Sequence, residues 1–334
     1  MSSQPDASSG MNRPRPVVDA HHHLWDLTAG HYPWLQEDYK PQAFFLGDYQ
    51  PLCSNFLPAD YRQASHNCNV VATVHVEAER DRSQQLEETS WLHQMHEQHG
   101  MPNAVVAHAW LDQPDTQERL QQQAGFPLVK GIRSKPVTSA SPDQSVRGQR
   151  GSMQCETWLR GLALVPTLGL SWDLRVPRWH LCEAAEVAAQ FPDLNVVLNH
   201  HGFAWDRSED GLKRWRDAMA VLARQANVHV KLSEFGLRDQ AWDWLANARI
   251  VRETLAIFGW QRCMFASNFP VAGLRIGYQQ LTSSMWQMLS HLGEHQQDAV
   301  MCGNALQFYR IELPDTAHST SPSTPISISG ATKP

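Results

Sequence analysis

The strongest constraint on the fold of this chain is an alternation. Short, near-continuous apolar runs recur at Val17–His23, Val70–Ala78, Ala104–Leu111, Leu128–Lys135, Leu170–Val176, Asn195–Gly202, Val228–Phe235 and Cys263–Pro270. Amphipathic stretches such as Gln84–His99, Trp179–Gln190, Gly211–Ala226 and Ala241–Phe258 lie between most of them. Strands that are apolar on both faces belong to a parallel sheet covered by helices. Eight strand–helix units predict a single-domain, distorted (β/α)8 TIM barrel. A doubly wound open sheet would want a Gly-rich phosphate loop after its first strand, and the chain has His21-His22-His23-Leu24 there instead.

The barrel is expected to occupy residues 15–313. The Ser/Pro/Asn-rich segment 1–14 and the Ser/Thr/Pro-rich segment 314–334 read as disordered tails. A net charge of −6 without a basic patch argues against a nucleic-acid partner. No apolar run approaches the roughly 20 residues of a membrane span. The N-terminal residues lack the apolar core of a signal peptide, so a cytoplasmic protein is expected. Six cysteines without a CxxC support neither a zinc knuckle nor a redox motif. The expected partner is a small-molecule substrate, with homo-oligomerisation left open.

Functional groups in such a barrel collect at the C-terminal strand ends. Read in order, those ends offer His21 and His23; His75 and Glu77; His108; Arg133 and Lys135; Asp173 and Arg175; His200 and His201; Lys231, Ser233 and Glu234; and Asn268. Side chains two apart on a strand share a face, so His21 and His23 point the same way, as do His75 and Glu77. The connection 24–69 is long and aromatic, with a helical end near Pro58–Gln63. It reads equally as a wall of the substrate pocket or as a packed surface loop.

Six segments in order, DAHHHLWD (19–26), KGIR (130–133), VLNHHG (197–202), NVHVKLS (227–233), RCMFASNFPV (262–271) and GNALQFYR (303–310), resemble the amidohydrolase superfamily in its lactone-hydrolase branch. The resemblance implies that His21, His23 and His200 bind one divalent metal, zinc first, or contact the substrate directly without a metal. The dinuclear arrangement of the superfamily is not expected, because Arg133 and Asp173–Arg175 stand where it needs a carboxylated Lys or a Glu and a His. His22, His108 and His201 are expected to pack rather than ligate. Arg133, whose planar fork suits a carboxylate, is expected to contact the substrate, together with Lys231 and Trp25. The implied activity is opening of the lactone ring of a sugar acid or small dicarboxylic acid. A metal-dependent decarboxylase and a non-catalytic small-molecule-binding barrel are the alternatives.

The departure from the family pattern is Asn268, where relatives carry the Asp that deprotonates water. An amide cannot act as that base. Either His75, Glu77 or His200 takes the role, or a lactone needs less help, or the barrel binds without turnover.

Overall fold

The computed structural model describes residues 14–313. The expected C-terminal tail, and all but the last residue of the N-terminal one, lie outside the described residues. Eight strands form one sheet in chain order: β1 Val17–His22, β2 Val70–Val76, β3 Ala104–Ala107, β4 Val129–Ile132, β5 Ser171–Leu174, β6 Val196–Leu198, β7 Val228–Leu232 and β8 Cys263–Phe265. Every neighbouring pair is parallel. The chain is a single-domain (β/α)8 barrel, as its alternation requires.

The strands are shorter than their apolar runs. In each run the last residues leave the ladder and become the loops that carry the site. The barrel closes through such a loop. Beyond β8, the Asn268 amide donates to the His21 carbonyl (2.7 Å), and the His23 amide donates to the Phe269 carbonyl (2.8 Å). Asp19 locks this seam from the outer face. It accepts from the Ser267 backbone (2.8 Å) and hydroxyl (2.6 Å), and from Tyr61 (2.8 Å) and Tyr278 (3.1 Å).

Register is irregular between Asp19 and His22. Val18 and Ala20 pack inside with Val74, Val197 and Met264, above a C-terminal helix, Asn304–Tyr309. Asp19 and His22 point outward, onto Tyr61. The bulge between them turns His21 inward, where Lys231 lies 3.4 Å away. A buried Lys231–Asp173 pair, capped by the Tyr309 hydroxyl, forms a polar layer across the interior.

The long first connection does two things. Trp25, Tyr32, Leu46 and Tyr49 are buried in a separate small core, and Pro58–Ala64 forms a helix. Trp34, Phe44 and Phe45 face the central cleft.

Candidate active site

The cleft lies at the C-terminal ends of the strands. Its floor is His23, His200 and Asn268, its polar wall Glu79, Arg133, Lys135 and Arg175, and its apolar wall Trp34, Phe44, Phe45, Ala78 and Val271. Several of these residues sit on unusual backbone. Glu79 (φ 58°), His200 (φ 56°), Asn268 (φ 56°) and the adjacent Glu234 (φ 52°) all take the left-handed conformation at strand ends. Such positions cost of order 1–3 kcal/mol each and persist only where the surroundings over-determine them. Four of them gather around one cleft, which makes it the candidate site.

The three expected histidines converge. The His21 and His23 ring centres are 5.0 Å apart, and those of His21 and His200 are 4.7 Å apart. His23 Nδ1 donates to the Val76 carbonyl (2.7 Å), and its Nε2 lies 3.2 Å from Asn268 Oδ1. His200 Nδ1 pairs with the Ser233 hydroxyl (2.8 Å), which leaves Nε2 toward the cleft. Burial drives all three imidazoles well below the ordinary histidine value, helped by Lys231 at His21, Arg133 at His23 and Arg175 at His200. They are neutral at physiological pH.

His21 Nε2 is buried without a partner. His200 Nε2 also lacks one among the described residues, and His23 Nε2, left bare because its ring hydrogen is on Nδ1, faces the Asn268 oxygen 3.2 Å away. Among the described residues, no group of three or more His, Cys, Asp and Glu side chains is arranged to hold a metal ion. A single zinc does not fit that arrangement of side chains.

The other expected residues separate. Glu77 is fully enclosed between Arg133 Nε (2.6 Å) and Arg82 (2.7 Å). Burial works to raise its carboxyl, but Arg133 and Arg82 outweigh it and hold it well below the usual range. A carboxylate so paired is not a free base. His75 follows the outward parity of His22: its Nε2 contacts the Leu24 carbonyl (3.2 Å), and it does not line the cleft. Of the three candidate bases only His200 reaches the cleft. Lys231 is spent on Asp173, and Trp25 donates to the Ser54 carbonyl (2.6 Å) from full burial, so neither faces the cleft. His22, His108 and His201 pack against Tyr61, Trp110 and Phe235.

Arg133 borders the cleft with part of its guanidinium committed to Glu77. Arg175 is different. Among the described residues it has no carboxylate partner, and it stands over the rings of Phe203 (5.0 Å) and Phe45 (5.8 Å). Burial, then Arg133, lowers it to about 10, so it remains a cation. Lys135 is paired with Glu79. The sequence places Arg175, Lys135 and Glu234 at strand ends but does not show which of those charges is already neutralised.

A (β/α)8 barrel with neutral histidines and cationic side chains gathered at its C-terminal end has the layout of a small-molecule site on that fold. The amidohydrolase family model matches residues 18–311, and the chain belongs to that family. It is 32% identical over 297 residues to the uncharacterized protein y4mH of Sinorhizobium fredii, covering 88% of this chain and 98% of that one. It is 27% identical to the L-fucono-1,5-lactonase of Burkholderia multivorans, covering 90% and 98%. An amidohydrolase from Burkholderia multivorans, solved with bound zinc, shares the fold with a TM-score of 0.74 at 24% identity, over 89% of this chain and 99% of the other.

Proposed function

We propose that this barrel hydrolyses a lactone ring on a small acid, a sugar acid or a dicarboxylic acid, and that Arg175 receives the substrate's carboxylate. The unpaired Arg175 guanidinium beside a neutral, cleft-facing His200 carries this reading. A planar guanidinium binds a carboxylate with two parallel hydrogen bonds, and the flanking rings of Phe45 and Phe203 keep water away from the pair. The L-fucono-1,5-lactonase relative supports lactone chemistry.

The step follows from the groups present. Water attacks the lactone carbonyl, its oxygen bonding to carbon while its proton passes to His200 Nε2. Arg133, fixed by Glu77, lies on the wall where its charge opposes the oxyanion. The ring carbon–oxygen bond then breaks, and the leaving oxygen takes the proton back from His200. Ser233 holds the imidazole throughout. Asn268 is the one observation that favours a barrel that binds without turnover.

A panel of neutral and carboxylate-bearing lactones, assayed before and after chelation, tests this. Ring opening of carboxylated members is expected, unchanged by chelator, and His200→Asn should lower kcat/KM by the ~10²–10⁴ typical of a lost general base. Activity that vanishes on chelation and returns with zinc would show that the three histidines rearrange around an ion. Failure to open any member would favour the binding barrel.

A further inference from the structure

Asn268 is not alone at the floor of the cleft. Its Nδ2 donates to Glu234 Oε2 at 2.5 Å, while its Oδ1 faces His23 and the cleft. Glu234 comes from the end of the neighbouring strand and is 3% exposed. Its other oxygen, Oε1, accepts from the Gly236 amide at 3.2 Å. A Cβ at residue 236 would lie 2.9 Å from Oε1 and 3.0 Å from Leu46, so any larger residue there would push the carboxylate aside. Both carboxylate oxygens are thus held in a fitted seat, one by the backbone and one by Asn268.

We propose that Glu234 and Asn268 act as a pair, with Glu234 as a positioning residue that sets which end of the Asn268 amide faces the cleft. This rests on the lactonase reading above. With Glu234 ionised, Asn268 gives it an N–H and turns Oδ1 to the cleft, where that oxygen can accept from the attacking water. With Glu234 protonated, its O–H donates to Oδ1 and the amide turns over. Nδ2 then donates to the bare Nε2 of His23, whose hydrogen is on Nδ1 facing Val76. The water-orienting oxygen is withdrawn, and the site is switched down.

The environment suits such a switch. Burial raises the Glu234 carboxyl to about 7, with the hydrogen bonds from Asn268 and Gly236 and the charges of Arg275 and Arg175 opposing it. Arg275 is not a direct partner, because it donates to the carbonyls of Leu237, Leu274 and Leu46. Lys135, also near 7, is paired with Glu79 instead.

The substitution Glu234→Gln tests the orientation directly. Gly236 claims the acceptor end of the new amide, so the Gln nitrogen faces Asn268 and forces it into the turned-over state. We expect kcat/KM to fall ~10²-fold, and the ascending limb of the pH profile near 7 to disappear. Adding Asn268→Asp restores an acceptor toward the cleft, so the double variant should regain at least tenfold over Glu234→Gln alone. A readout independent of turnover is the side-chain amide resonance of 15N-labelled Asn268, assigned by its loss in Asn268→Asp. It should shift between about pH 5.5 and about pH 8.5 in the wild type and stay fixed in Glu234→Gln. A resonance that does not titrate, or that titrates equally in both proteins, overturns the proposal. So does a double variant no better than the single one. If the wild type opens no lactone, the hydrolase reading fails while the resonance still decides this one.

Discussion

Arg175 carries the sharpest claim at the scale of one residue. Removing it should act on binding rather than chemistry, because it lies on the wall beside His200 and shares no hydrogen bond with it. Arg175→Ala should raise KM for a carboxylate-bearing lactone by about 10- to 100-fold, the loss of one charge-assisted contact of ~1.5–3 kcal/mol, with kcat nearly unchanged. A neutral lactone should hardly notice. Equal losses on both substrates would place Arg175 in the chemistry and not in recognition. The sequence shows His21, His23 and His200 through strand parity and the family segments. It does not show that Arg133 is tied to Glu77 while Arg175 is free, because that depends on a carboxylate 56 residues away in the chain. Glu234 escapes for the same reason. Its partner Asn268 is 34 residues on, and only the barrel brings them together.

At the scale of elements, the strands and helices are legible because their apolar periodicities differ. The strand ends are less so, since a run of apolar residues continues past the last ladder hydrogen bond into the site loops. The bulge in β1 has no signal in the pattern, yet it decides that His21 faces inward while Asp19 and His22 face the surrounding helices. The aromatic connection is legible as unusual but not as divided between a packed core and a cleft wall. The seam between β1 and the loop after β8 is the element on which the site hangs, and Asp19 holds it. Asp19→Ala would take their shared acceptor from the hydroxyls of Ser267, Tyr61 and Tyr278 and from the backbone amides of Ser267 and His21, all in a buried place. Losing several such bonds should lower stability by on the order of 3–4 kcal/mol, read as a reduced denaturant midpoint. Asp19→Asn keeps an acceptor oxygen and should lose less. A wild-type midpoint in Asp19→Ala would mean that the seam is closed by the backbone alone.

The whole molecule carries an unusual load of buried imidazole, and this sets its response to acid. Burial lowers His22, His108 and His201 to about 3 and His229 to about 4, and it lowers His21, His23, His75 and His200 as well. Each is neutral in the folded chain and takes up a proton near 6.5 when unfolded. Between 6.5 and the folded value the unfolded chain therefore binds more protons, so stability rises with pH in that window and levels off above it. Three buried carboxyls oppose this: Glu234 and Glu88, both raised to about 7, and Asp19, raised by burial as well, favour the folded state less as pH rises from their ordinary values toward their folded ones. Eight histidines outweigh three carboxyls, so the net slope follows the imidazoles. The denaturant midpoint should fall steadily as pH drops from about 6.5 to about 4.5, while above 7 Lys135, lowered to about 7 in the folded chain, keeps a shallower rise going. In Glu234→Gln one opposing carboxyl is gone, so the fall toward acid should be steeper than in the wild type. Maximum stability near pH 5 would mean that the imidazoles are charged in the folded protein, and with that the neutral His200 on which base catalysis depends would be lost.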